Sequence, residues 1–168
     1  MKTSIVNILL PCFFFIHEME EILMVPSWVK ANSSVMYRRF PKFRYVIQKM
    51  ERMTTWRFAA IAAEEFVIVS ICTFISVQTG KLIVWYCCLA AFSIHLLIHF
   101  VQFLFWGKYI PAIVTSLFCF PYCVWAFSEA CKYFTLYDQL LYSLVGFAFG
   151  GINLFMMHMI VDRIFIKH

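Results

Sequence analysis

The stretch Arg57–Trp106, RFAAIAAEEFVIVSICTFISVQTGKLIVWYCCLAAFSIHLLIHFVQFLFW, decides the fold. It holds two apolar runs, Arg57–Gln78 and Leu82–Trp106, separated only by Thr79-Gly80-Lys81. Crossing a hydrocarbon core of about 30 Å takes about 20 helical residues, so each run is long enough to span a membrane. A connector this short makes the pair an antiparallel hairpin. Further runs of the same size lie at Ser4–Val25, Tyr109–Ser128 and Tyr137–Ile160. The expected fold is all-α, a polytopic membrane bundle of about five transmembrane helices forming one domain over residues 1–168.

Composition agrees. Of 168 residues, 63% are hydrophobic and 14% charged, against roughly 45 to 50% and 25% in soluble domains. The net charge of +5 therefore reads as a membrane address, and no nucleic-acid partner is expected. The seven cysteines form no CxxC pair, which suits small core residues. The apolar run after Lys2 lacks a small-x-small cleavage site before Pro26, so it is read as a span and not a signal peptide.

The one long connector, residues 26–56, carries Lys30, Arg38, Arg39, Lys42, Arg44, Lys49 and Arg52 against the single acid Glu51. The positive-inside rule makes it cytoplasmic. Threading the chain from there puts the amino terminus outside and the carboxyl terminus in the cytoplasm, with Arg57, Lys108, Arg163 and Lys167 inside and only Lys2, Lys81 and Lys132 outside. Tyr37, Phe40, Phe43, Tyr45 and Val46 interleave with the connector's cations. That pattern fits either an interfacial amphipathic segment on anionic headgroups or a solvated basic loop.

Ionisable groups inside a membrane cost several kcal/mol unless paired, so they are functional candidates. This chain has His17, Glu18, Glu20 and Glu21 in the first run, Glu64 and Glu65 in the second, His95, His99 and Gln102 in the third, and Asn153 and His158 in the fifth. His17, Glu20 and Glu21 share a helix face by i, i+3, i+4 spacing, as do His95, His99 and Gln102, while Glu18 turns about 100° away. Counted from the cytoplasmic ends, Glu21 is five residues from Pro26, Glu64 seven from Arg57 and His99 seven from Trp106. At about 1.5 Å per residue they meet at one depth.

Imidazoles and carboxylates converging from several helices make a metal-ligand set. The candidate ligands are His17, Glu20, Glu21, Glu64, His95 and His99 for a divalent zinc, iron or manganese ion, and His17, Glu20, Glu21, Glu64 and His99 are the candidate acid/base groups. The order His-x-x-Glu-Glu resembles a zinc motif H-x-x-E-H with its last His replaced, a change toward harder metals. Behind them stand Glu65, Gln102, Thr115, Asn153 and His158. The same residues could act without metal, moving a proton on an apolar substrate, or serve as a proton or metal relay in a transporter or binding protein, where a homodimer would complete the pathway. Simple helix locking needs only one or two such pairs. Aromatic-rich walls, with 20 Phe in the chain, suit a hydrophobic or lipid-like small-molecule substrate reaching the site among membrane lipids. Gly146, Gly150 and Gly151 permit close helix approach. His168 is terminal and has no assigned role.

Four blocks in order, His17-Glu18-Met19-Glu20-Glu21, Ala63-Glu64-Glu65, His95-x3-His99-x2-Gln102, and Lys108-Tyr109-Ile110-Pro111-Ala112-Ile113-Val114-Thr115 with Pro121, resemble the HXXEE-domain family of small bacterial membrane proteins. The resemblance runs from about Ile16 to Tyr122. The family pattern has Gly after the Pro, where this chain has Ala112. The resemblance implies an integral membrane enzyme of unassigned reaction in a bacterial cytoplasmic membrane, with His17, Glu20, Glu21, Glu64, His95, His99, Gln102 and Thr115 at its site.

Overall fold

The computed structural model describes residues 2–166, with side chains from Ile5 to Ile164. The expectations placed on the Lys2 side chain, Lys167 and His168 lie outside them. Among the described residues all regular structure is helical: α1 (Lys2–Arg39), a 3-10 turn (Pro41–Phe43), α2 (Arg44–Glu51), α3 (Thr55–Thr79), α4 (Ile83–Trp106), α5 (Ile113–Ala130) and α6 (Leu136–Ile166).

Among the described residues, four helices are long and apolar enough to cross a membrane: Thr55–Thr79, Ile83–Trp106, Ile113–Ala130 and Leu136–Ile164. Apolar residues surround them on all sides, so much of that surface stays exposed: Leu104 by 76% and Phe149 by 72%. Such faces suit lipid. α1 is not among the four, because His17, Glu18, Glu20 and Glu21 interrupt its apolar run.

α4 is the hub. It packs on α3, α5 and α6, while α1 fills the remaining side between α3 and α5. Its buried stripe of Trp85, Tyr86, Leu89, Phe92 and Leu96 recurs at three- and four-residue spacing, which keeps it on one flank of the helix. Val6, Leu10 and Phe14 of α1 and Cys119, Tyr122, Cys123 and Ala126 of α5 complete this core. Tyr122 satisfies its buried hydroxyl by donating to the Val6 carbonyl at 2.9 Å. α6 approaches α4 most closely at Gly146, where an added Cβ would stand 2.2 Å from the Cys87 carbonyl oxygen. Gly150 would meet only the Ala91 Cβ at 3.4 Å, and Gly151 nothing within 4 Å.

The last helix runs six residues past the expected Ile160, to Ile166, and two further boundaries that differ from the sequence reading bear on the site. Pro26 does not end the first helix, which continues to Arg39. Proline in a helix interior removes one backbone bond at a cost of about 3 kcal/mol. Packing beyond it offsets that cost: Val29 is 1% exposed, Trp28 meets Trp106 edge-on at 5.2 Å, and Arg39 donates to the Phe105 and Trp106 carbonyls, each at 2.6 Å. Those are orphan carbonyls at the α4 terminus, which a cation there satisfies. The rest of the connector is the 3-10 turn and α2, whose Ile47 is buried while Tyr45 and Val46 are exposed. Tyr37 donates to Glu51 across this bend at 2.5 Å. That bond pushes the phenol above its ordinary range and holds the carboxylate below its own.

The second boundary is the start of α5, at Ile113 and not Tyr109. Gly107 ends α4 in the left-handed conformation at φ 75°, and Ala112 at φ 72° takes the same region immediately before α5. Pro111 therefore precedes the helix by two residues and is not part of its first turn. A left-handed residue is natural for glycine and costs alanine roughly 1 to 2 kcal/mol. The structure thus gives the physical reason for a Gly at this position.

Candidate metal centre

α1 brings its polar motif to mid-bundle with each side chain aimed differently. At about 100° per residue, Glu20 lies about 60° to one side of His17, Glu21 about 40° to the other, and Glu18 about 100° to that same side. These angles match their neighbours. Glu20 meets α5, His17 and Glu21 meet α4, and Glu18 comes within electrostatic reach of Glu65 on α3.

One ligand atom each from His17, Glu21, His95 and His99 lies within 4.8 Å of all the others. The Glu21 Oε1 carboxylate oxygen is 2.8 Å from His99 Nε2 and 3.7 Å from His95 Nε2. The two Nε2 atoms are 3.0 Å apart, and the His17 ring lies 5.1 Å from each of the other two rings, centroid to centroid. Donors around one zinc ion at about 2.0 to 2.1 Å stand about 3.3 Å from each other. The separations of 2.8, 3.0 and 3.7 Å bracket that value. Surroundings are dry: His17 is 0%, Glu21 5% and His99 7% exposed. His95 is half-buried.

The hydrogen bonds behind His17 determine which of its nitrogens is available. Its Nδ1 is 3.0 Å from Thr115 Oγ1, and Thr115 in turn donates its hydroxyl to Glu20 Oε2 at 2.6 Å. A carboxylate accepts only, so the threonine proton goes to Glu20 and the imidazole must donate from Nδ1. That tautomer leaves a lone pair on Nε2, which is buried with no hydrogen-bond partner. An orphaned acceptor beside a carboxylate and two more imidazoles is what a cation would satisfy, so these four residues fit a divalent metal ion.

Glu20 has a second task. Ala112 cannot cap α5 with its side chain, and Glu20 Oε2 accepts the Thr115 backbone N–H at 2.9 Å instead. A carboxylate at a helix N-terminus also meets the positive end of the dipole. Tyr109 donates to the other oxygen, Oε1, at 3.0 Å. Burial, then that hydrogen bond and the negative charge of Glu20, raise the phenol above its ordinary range.

Of the expected ligands, His17, Glu21, His95 and His99 come together. Glu20 and Glu64 lie outside that group: Glu20 is held by α5, and Glu64 Oε2 accepts from Asn153 of α6 at 2.9 Å. Glu65 neighbours Glu64, Glu21 and Glu18, so the α3 side of the site carries carboxylates. Gln102 lies one turn beyond His99 and is exposed, and His158 lines a separate apolar cavity. Sequence reasoning assigned no site role to Tyr109 or to the buried Glu18. The i+1 offset of Glu18 toward α3 was visible in the motif, but the fold of the α4–α5 connector over Glu20 was not.

A polar layer thus crosses the bundle from Thr115 of α5 through the α1 motif and the α4 imidazoles to Glu64 and Glu65 of α3 and Asn153 of α6. No curated protein and no solved structure matches the chain. A family's sequence pattern does match, over residues 8–126, a stretch that contains the whole His/Glu group and its Thr115 support. The chain belongs to the family of proteins of unknown function with an HXXEE motif.

Proposed function

We propose that this protein is an integral membrane enzyme with a divalent metal ion held by His17, Glu21, His95 and His99, acting on a hydrophobic or lipid-like small molecule. The observation that carries the reading is that His17, whose buried Nε2 has no hydrogen-bond partner, stands within ligand reach of Glu21, His95 and His99. α1 is the fifth span. Its 38 residues reach about 57 Å at 1.5 Å per residue, well beyond the hydrocarbon core. The amino terminus is then outside and the carboxyl terminus cytoplasmic, in the cytoplasmic membrane of a bacterium.

When bound, the ion supplies Lewis acidity in a site of low dielectric. Four protein donors fill a tetrahedral zinc site but leave two positions open in six-coordinate iron or manganese, so a catalytic role favours the harder metals. Thr115 and Glu20 fix the His17 ring and its tautomer. Glu18 and Glu65, on the α3 side of Glu21, are placed to accept a proton from an apolar substrate and return it. The reaction classes that suit this set are hydrolysis, isomerisation and oxidation.

Metal content measured by plasma mass spectrometry on protein in mild detergent tests the proposal. Stoichiometric ion is expected in the wild type and its loss in Glu21→Gln and His99→Asn variants of unchanged helix content. A wild type that stays metal-free after reloading overturns it. The 2.8 Å contact between His99 Nε2 and Glu21 Oε1 favours the second reading in that event, in which the same pair holds a proton for metal-free acid/base isomerisation.

A further inference from the structure

The connector helix α2 covers a cavity that the metal reading does not use. Its volume is about 440 Å³, and Val25, Val46, Met53, Phe58 and Leu154 give it apolar walls. That size suits a ligand chain or a drug-sized molecule. Lys49 and His158 are its polar members, and His158 Nδ1 is buried with no hydrogen-bond partner. Val25 stands one turn from Glu21 along α1, so the cavity lies just to the connector side of the polar layer.

Lys49 also lines a second hollow of about 140 Å³, together with Tyr45, Gln48, Arg52, Arg57 and Asp162. Three cations face one carboxylate there. The carboxylate, Asp162, is paired to Lys49 at 3.0 Å, with both side chains part exposed. An apolar cavity opening beside a net positive niche, at the basic end of a membrane bundle, is complementary to an amphiphile with an anionic head. Hydroxyl or ester oxygens at the junction of head and chain would find the His158 nitrogen.

We propose that this composite site binds one anionic phospholipid, its phosphate at Lys49, Arg52 and Arg57 and an acyl chain along Val25, Phe58 and Leu154. The site stands on shape and charge, and holds whether or not a metal binds at His17. Native mass spectrometry of the full chain in neutral detergent tests it, titrating phosphatidylglycerol against phosphatidylcholine of identical chains. Each juxtamembrane cation is worth about fivefold for an anionic lipid. The wild type is therefore expected to prefer phosphatidylglycerol by about fivefold or more, and Arg52→Gln to lose most of that preference. Asp162→Asn should raise it, a gain that no folding defect can imitate. Leu154→Trp should lower retention of both lipids by filling the cavity, and Lys81→Gln, on the opposite connector, should change nothing. Metal content should stay at the wild-type level in the Arg52 and Asp162 variants. Equal effects of Arg52→Gln and Lys81→Gln would mean diffuse attraction to the bilayer and overturn the proposal. So would displacement of the lipid by inorganic phosphate alone, which would mark a free-anion site.

Discussion

Replacing Thr115 by Val isolates the chain of hydrogen bonds that sets the His17 tautomer. Valine keeps the β-branched shape and its χ1 preference, so packing changes little. The hydroxyl it lacks accepts from His17 Nδ1 at 3.0 Å and donates to Glu20 Oε2 at 2.6 Å. Glu20 still keeps the Thr115 backbone N–H at 2.9 Å, so α5 remains capped. The loss falls on His17, 0% exposed, whose Nδ1 donor is left without an acceptor at a cost of about 1 to 3 kcal/mol. An unpaired ring nitrogen no longer selects the tautomer with a bare Nε2. Removing the partner that orients a ligand histidine lowers metal affinity about 10- to 100-fold. Competition for Zn²⁺ or Mn²⁺ with a chromophoric chelator in detergent reads this directly, with thermal unfolding measured on the same samples. Thr115→Ser, which keeps the hydroxyl, should bind within a few-fold of the wild type. Thr115→Val that is destabilised yet binds metal with unchanged affinity would refute the tautomer argument and reduce the Glu20, Thr115 and His17 chain to a helix cap.

Two of the three glycines of α6, Gly146 and Gly151, make a matched pair. Gly146→Ala places a Cβ against the Cys87 carbonyl and should cost about 1 to 3 kcal/mol by overpacking. Gly151→Ala has open space and should gain up to about 1 kcal/mol from helix propensity; unfolding in mixed detergent micelles compares them. Ala112→Gly relieves a left-handed alanine and should stabilise by about 1 kcal/mol on the same scale. Arg39→Ala frees the Phe105 and Trp106 carbonyls and should cost about 1 kcal/mol at this exposed site, with faster hydrogen exchange confined to the end of α4.

How much of this was legible in the sequence depended on whether a residue's position follows from its own helix or from its neighbours. Apolar length alone marked α3 to α6, and the i, i+4 spacing of His95 and His99 put both rings on one face. Counting from the basic ends of the runs put Glu21 and His99 at one level, and the two are 2.8 Å apart. The continuation of α1 through Pro26 was not legible, because local proline chemistry ends helices and only the contacts of Val29, Trp28 and Arg39 with distant parts of the chain override it. The start of α5 was hidden for a similar reason, since Ala112 carries no glycine signal for its left-handed backbone. Which of the two adjacent carboxylates of α3 turns to α6 depends on Asn153, 89 residues on from Glu64.

The distribution of satisfied and unsatisfied atoms distinguishes a ligand cluster from a polar lock between helices. A lock ends with every buried polar atom paired, because that pairing is its stabilising effect. The α5 side of the motif behaves in this way. Glu20 receives Thr115 N, Thr115 Oγ1 and the Tyr109 hydroxyl, and in doing so caps a helix whose own N-cap residue is an alanine. The α4 side does not: His17 Nε2 and His99 Nδ1 are buried and unpartnered, while His95 and His99 point Nε2 atoms at each other across 3.0 Å. Two facing imidazole nitrogens can share at most one proton, and both can share one cation. The three fixed letters of the motif therefore divide between two tasks: Glu20 builds the frame, Glu21 contributes to the charge of the site, and His17 joins the frame through Nδ1 and the site through Nε2. A change of Glu20 to Gln keeps an acceptor for Thr115 and should weaken metal binding less than Glu21→Gln. If the two substitutions reduced affinity equally, this division of roles would be wrong.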